Sequence, residues 1–135
     1  MDIRVAKHTD YEMLKEWWGF WRFPAPSIQS LPHYEDESFN GLIAYKDGKD
    51  IACGFLYETN SNMCWVEYIV TNPKTSSEER EEAILSVLEQ LSLSAKHLGY
   101  SILFSSLKSD SLIDKYKKNG FIEGTKGTTE LIKIL

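Results

Sequence analysis

The sequence is short of cysteine, of histidine and of uninterrupted apolar runs, and each shortage removes a class of protein. Only Cys53 and Cys64 are present. With no metal-ligand spacing between them, neither a zinc site nor a disulfide framework is expected, and both read as reduced, mostly buried thiols. A hairpin turning at Asn60-Ser61 would set Tyr57 opposite Cys64 and Cys53 opposite Tyr68. The two thiols would then share a face ~13 Å apart along the strand, beyond the roughly 7 Å that a disulfide bridges. His8, His33 and His97 lie far apart without metal spacing, so no metal is expected and each reads as a surface residue. No apolar run approaches the roughly 20 residues of a bilayer crossing. Met1-Asp2-Ile3-Arg4 lacks the basic start and apolar core of a signal peptide, so a cytoplasmic location is expected. Basic residues are also in deficit, 15 against 20 acidic ones, for a net charge of −5 without a dense Lys/Arg cluster. Nucleic acid and anionic membrane are therefore poor ligands for it.

What is present is a globular composition, 42% hydrophobic with 8 Gly and 4 Pro in 135 residues, which suits a single domain over 1–135 with one sizeable core. Ile3–Ala6 is β-like, and Thr9-Asp10 with Glu12 opens a helix. Leu14, Trp17, Trp18 and Trp21 follow the i, i+3, i+4, i+7 pattern of one helix face. Gly19 weakens that helix and Pro24 and Pro26 end it. Ser27–Ser38 reads as irregular or a short second helix. Gly41–Tyr45 and Ile51–Glu58 are strands joined by an Asp47-Gly48 hairpin turn, and Met63–Val70 follows after a second turn. In these strands both alternating faces are apolar, as in strands with helices packed on either side. After Pro73 a long helix carries the stripe Ile84, Leu88, Leu91, Ala95 and Leu98, and Gly99 is its natural stop. Ser101–Leu107 reads as a strand, Ser109–Asn119 as a helix and Leu131–Leu135 as a last strand. The reading β-α-(α)-β-β-β-α-β-α-β implies a mixed, mostly antiparallel sheet with helices on both faces.

That order resembles the GNAT (N-acetyltransferase) superfamily over essentially the whole chain. Tyr116-Lys117-Lys118-Asn119-Gly120-Phe121 looks like the family's Tyr-x-x-x-Gly-Phe signature. Ala95-Lys96-His97-Leu98-Gly99-Tyr100 resembles the end of its cofactor-side helix. Tyr68-Ile69-Val70-Thr71-Asn72-Pro73 resembles the central strand that carries acyl-CoA and enters the pyrophosphate loop. The likeness is nearest to a group of short phage-encoded GNAT-like proteins. The resemblance implies a GNAT-like α/β fold and acetyl-CoA as cofactor. It implies cofactor contacts from Ile69, Val70 and Thr71 on the strand, Lys74, Ser76, Ser77 and Arg80 at the helix start, and Ser109 where the family often has Asn. It also implies Tyr116 as the acid that protonates the leaving thiolate, and aromatic residues Trp21, Phe23 and Tyr34 beside the acceptor, or on a protein-binding patch. Trp17 and Trp18 are read as core.

The loop departs from the family pattern. Its Gln/Arg-x-x-Gly-x-Gly/Ala falls on Ser76 to Glu81, with Ser76 at the basic position and Glu79 and Glu81 where glycines stand. Glycine there lets bare N–H groups at a helix start approach a pyrophosphate. Ser76 and Glu79 instead have the spacing of a capping box, which puts a carboxylate where the phosphate should sit. Lys74 and Arg80 offset part of that repulsion. Glu67, flanked by Trp65 and Ile69 on one strand face, is the candidate base, because apolar neighbours raise a carboxylate's pKa toward neutrality. A backbone N–H near Val70 or Thr71 is the candidate donor to the thioester carbonyl.

Two functions follow. One is an acyl-CoA-dependent N-acyltransferase, moving an acetyl group to a small-molecule or peptide amine, with a degenerate pyrophosphate loop. The other is a non-catalytic GNAT-like module that has lost its cofactor site and binds a protein. A homodimer is possible in either case.

Overall fold

Asp47 and Gly48 both adopt positive φ, +51° and +74°, the two-residue turn whose twist matches that of paired strands. This turn joins two of the three nine-residue strands in the sheet. The computed structural model describes residues 1–135. Its elements are β1 (Asp2–Lys7), α1 (Tyr11–Phe20), β2 (Ser38–Lys46), β3 (Lys49–Tyr57), β4 (Met63–Thr71), α2 (Ser77–His97), β5 (Ile102–Phe104) and α3 (Asp110–Lys118), with single 3-10 turns at His8–Asp10 and Ile28–Ser30. The strands lie in the order β1-β2-β3-β4-β5. The first four pair antiparallel and β4 pairs parallel with β5, α2 supplying the crossover that a parallel pair needs.

Each face of the sheet has its own core. On one, Ala52, Leu56, Cys64 and Val66 meet Val87, Leu88 and Leu91 of α2 and Tyr116 of α3. On the other, Ile43, Cys53, Phe55 and Val70 meet Leu14, Trp17 and Trp18 of α1. The mixed, mostly antiparallel sheet with helices on both faces is thus observed. No helix is long and apolar enough to cross a membrane.

Several expectations are corrected. The β3–β4 hairpin pairs Tyr57 with Trp65 and Cys53 with Val70, so Cys53 and Cys64 fall in the two opposite cores rather than on one face. Leu98 lies past the end of α2 and is 52% exposed, because the chain has already left the helix there. Trp21 likewise lies beyond α1, 44% exposed. His8 is half-buried and not free on the surface: its ring centre lies 4.8 Å from that of Phe39 and 5.7 Å from that of His33, and its Nε2 is buried. β5 covers three residues instead of seven. Leu131–Leu135 forms no strand, and its apolar side chains stand in solvent. A β-prone segment becomes a strand only beside a ladder partner, and this one has none.

Candidate functional site

The site is made by one extra residue in β4. Cys53 pairs with Val70 and Phe55 with Glu67, so three steps along β4 match two along β3. The surplus is absorbed at Tyr68, whose φ is +59°, a left-handed conformation that costs a tyrosine about 1–2 kcal/mol. Such a bulge resets which way side chains point. Cys64 and Val66 face the α2 core. After the bulge Ile69 faces that core too, close against Gly54, Val87 and Leu91, while Tyr68 and Val70 face α1. The expectation that Glu67 shares a face with Ile69 is therefore corrected. Glu67 keeps Trp65 and gains Tyr68, and with Tyr57 and Ser30 they line an open cleft of about 350 Å³.

Beside this cleft the sheet splays. β4 and β5 pair only from Met63–Ile102 to Trp65–Phe104. Farther on, side chains alone bridge the gap: Ser105 Oγ donates to Val66 O at 2.7 Å, and Glu67 Oε1 accepts from the Ser106 N–H at 3.0 Å. Burial pushes the Glu67 carboxyl up to about 7; the Ser106 N–H opposes this and the Glu130 charge reinforces it. Tyr116 lies on the α2 side of the same splay, buried against Phe121 and with its hydroxyl 3.5 Å from Ser105 Oγ. Its phenol is raised well above the usual range by burial, against the pull of Ser105. That direction makes Tyr116 a firmly protonated hydrogen-bond donor and a poorer proton donor.

The far end of β4 is arranged differently. Asn72 N–H donates to Ile51 O at 2.7 Å, toward β3, so across the trans peptide the Thr71 carbonyl points away from β3, to the open edge. There it accepts from Trp21 Nε1 at 2.9 Å. Trp21 is the C-cap of α1, its N–H still donating to Trp17 O, and the chain turns away just after it at Arg22, φ +57°. The Arg80 guanidinium lies 5.4 Å from the centre of the Trp21 indole and donates to Thr75 O. Ser76 and Glu79 form the capping box: the Glu79 N–H donates to Ser76 Oγ and the Ser76 N–H to Glu79 Oε1, each at 3.1 Å. The Ser76 backbone N–H, and after it the Ser76 side chain, hold the Glu79 carboxyl below its usual range. Glu81 is turned away to α3, pairing with Lys118 at 2.5 Å, so of the two glutamates at the glycine positions only Glu79 caps the helix start.

Of the residues singled out from sequence, the structure gathers Glu67, Tyr116, Ile69, Val70 and Thr71 around the splay, and Ser76, Ser77, Lys74 and Arg80 at the start of α2. Ile69 and Val70 are turned into the two cores. Lys74 is exposed. Ser109 is engaged elsewhere, as N-cap of α3, its Oγ accepting from the Leu112 N–H at 3.3 Å. Tyr57, Ser105 and Ser106 were missed, and Trp21, expected beside the acceptor or on a protein-binding patch, has its indole on the Thr71 carbonyl. The adjacent Glu67-Tyr68 pair, polar against the apolar period of the strand, was the one signal for the bulge.

Groups able to hold an acyl-CoA are present but partly engaged. The Thr71 edge and the N–H groups of Ser77 and Glu78, which a helix start leaves without internal partners, suit a pantetheine arm and a pyrophosphate. Trp21 and Glu79 stand at the same two places.

No protein-family model and no curated protein matches the chain. Solved structures do. A Trypanosoma brucei acetyltransferase superposes with a TM-score of 0.64 at 13% identity, over 97% of this chain and 99% of that one. A Mycobacterium tuberculosis protein in complex with CoA gives 0.66 at 18%, over 95% and 76%. The N-acetylglutamate synthase of Neisseria gonorrhoeae, complexed with coenzyme A and L-arginine, gives 0.63 at 16%, over 96% of this chain and 29% of that one. At such identities the likeness establishes the fold, which is that of the GNAT-like acetyltransferases.

Proposed function

We propose that the chain is an acyl-CoA-dependent N-acyltransferase that moves an acetyl group to an amine at the β4–β5 splay. The observation that carries this is the open edge of β4 flanked by a carboxylate held near neutrality on one face and a protonated phenol on the other. Acetyl-CoA, when bound, supplies the acyl group as a thioester. Glu67 takes the proton that the amine must lose, which a carboxyl near 7 does efficiently at neutral pH. Tyr116 donates a hydrogen bond on the other side of the splay, where negative charge collects on the leaving sulfur. The Thr71 N–H shares the outward edge of its carbonyl and is the backbone donor for the pantetheine arm or the thioester oxygen. Ser77, Glu78 and Lys74 face the pyrophosphate, and Arg80 joins them once Trp21 releases it.

The test is release of free CoA thiol from acetyl-CoA in the presence of a panel of primary amines. Amine-dependent release that falls ~10²-fold or more in Glu67→Gln, as loss of a general base does, supports the reading. Release that is independent of both amine and Glu67 contradicts it.

A second reading has its own observation. Phe20, Trp21 and Phe23 stand 44–62% exposed next to a helix start already capped by the protein's own carboxylate. That combination suits a GNAT-like module without cofactor that presents an aromatic surface to a protein. No acetyl-CoA binding, in the wild type or after removal of Trp21 or Glu79, would favour it.

A further inference from the structure

The cleft around Glu67 has a composition that selects among amines. Its walls are three electron-rich rings, Tyr57, Trp65 and Tyr68, with one carboxylate and no Lys or Arg. Each ring is held. Tyr57 donates its hydroxyl proton to Ser30 O at 2.7 Å, and its ring centre is 6.3 Å from that of Tyr68. Tyr68 is braced edge-on by Trp18 and Phe23, each at 6.3 Å. Trp65 packs 5.1 Å from Phe104. The carboxylate has hydrogen bonding from Ser106 but no cation. The charged and titratable groups that face it are Tyr57 from β3, Tyr116 from α3 and Glu130 from the C-terminal segment, none of them positive. Aromatic faces are negative at their centres and bind cations, more strongly when partly desolvated. A half-buried carboxylate without a counterion completes such a cage.

We infer that this cleft is a binding site for an aliphatic ammonium group, the acceptor entering as a cation caged by Tyr57, Trp65 and Tyr68 against Glu67. It follows that the acceptor carries no carboxylate beside its amine, since Glu67 and Glu130 would repel it, so free α-amino acids are disfavoured and alkylamines, polyamines or a lysine side chain are favoured. The inference rests on reading the cleft as the acceptor side, but the cage itself needs no acetyl-CoA.

That independence allows a clean test. Tetramethylammonium carries the charge, can neither be acylated nor donate a hydrogen bond, and has a neutral counterpart of similar size in tert-butanol. Both would be titrated by NMR against the wild-type protein without acetyl-CoA, following the indole N–H signals. Saturable binding of tetramethylammonium at least tenfold tighter than tert-butanol is expected. Glu67→Gln and Trp65→Leu, each checked for folding by circular dichroism, should each weaken it at least fivefold. Affinity should rise between pH 6 and 8 as the Glu67 carboxyl ionises. Equal binding of the two probes, no saturation, or binding unchanged in both variants would overturn the inference. Tetramethylammonium binding by a protein that never binds acetyl-CoA would leave the cage standing and remove the acyltransferase reading. Turnover confined to α-amino acids would do the reverse.

Discussion

The two ends of β4 treat their polar groups in opposite ways. At Glu67 the protein leaves a carboxylate without a cation, half-buried among aromatic rings and pushed up to about 7. At Thr71 and Ser76, four and nine residues further on, it satisfies the groups that a ligand would satisfy: the Thr71 carbonyl with an indole N–H, and the start of α2 with a capping carboxylate. Unpaired charge is costly and tends to persist where it has a task, whereas self-satisfied groups add stability and resist a ligand. On the proposed reading, the acceptor end is left open for chemistry and the cofactor end is closed by the protein's own side chains.

The largest expected effect falls on the acceptor end. Glu67→Gln should lower amine-dependent thiol release ~10²-fold or more and abolish the rise of rate with pH centred near 7, as read from kcat/KM between pH 5.5 and 8.5. An unchanged profile would show that another group takes the proton.

Next is the bulge that separates the two ends. A Cβ on Gly54 would meet Ile69 Cδ1 at 2.5 Å and Val87 Cγ1 at 2.9 Å, so Gly54→Ala should cost about 1–3 kcal/mol by urea denaturation. Because it pushes on the residue just past Tyr68, it should also lower transfer more than a core change of equal stability cost on α2, such as one at Leu88. Equal losses would mean that the bulge geometry does not matter to the site.

The smallest effect is one of stability with the opposite sign to that of activity. The Glu67 carboxyl moves from 4.5 up to about 7 on folding, so the folded state holds its proton more tightly than the unfolded chain. Its contribution is therefore most favourable below pH 4.5 and is lost as pH rises through 7. The carboxyl is partly solvated, which reduces the effect to about 1 kcal/mol. Glu67→Gln should accordingly be about that much more stable than wild type at pH 8 and indistinguishable from it at pH 4.5 in thermal melts. No difference at pH 8 would mean that the charge is not strained.

Much of the scaffold was legible because it is coded locally. The Asp47-Gly48 turn, the Ser76/Glu79 capping box and the α2 stripe from Ile84 to Ala95 each need only residues a few positions apart, and all are observed. Glu67 and Tyr116 were singled out for similar reasons, a polar residue in an apolar strand and a helix-end signature. What local pattern misses is where periodicity stops. The Leu14-Trp17-Trp18-Trp21 stripe runs past the end of the helix, and the Trp21 indole instead reaches Thr71, 50 positions away. A strand period cannot reveal the residue that interrupts it, so Ile69 was assigned to the wrong face. Leu131–Leu135 has strand composition, but composition does not supply a neighbour.

The cofactor end offers the most direct measurement of the central claim, that β4 carries an acyl-transfer site stoppered by Trp21. Acetyl-CoA would be titrated calorimetrically into the wild-type protein and Trp21→Ala. Removing the indole bares the Thr71 carbonyl and frees Arg80 for the pyrophosphate, so the variant should bind at least ~10-fold more tightly, about 1.4 kcal/mol. Tighter binding by the wild type than by the variant would contradict the account, because Trp21 would then be a wall of the cofactor site and not its stopper.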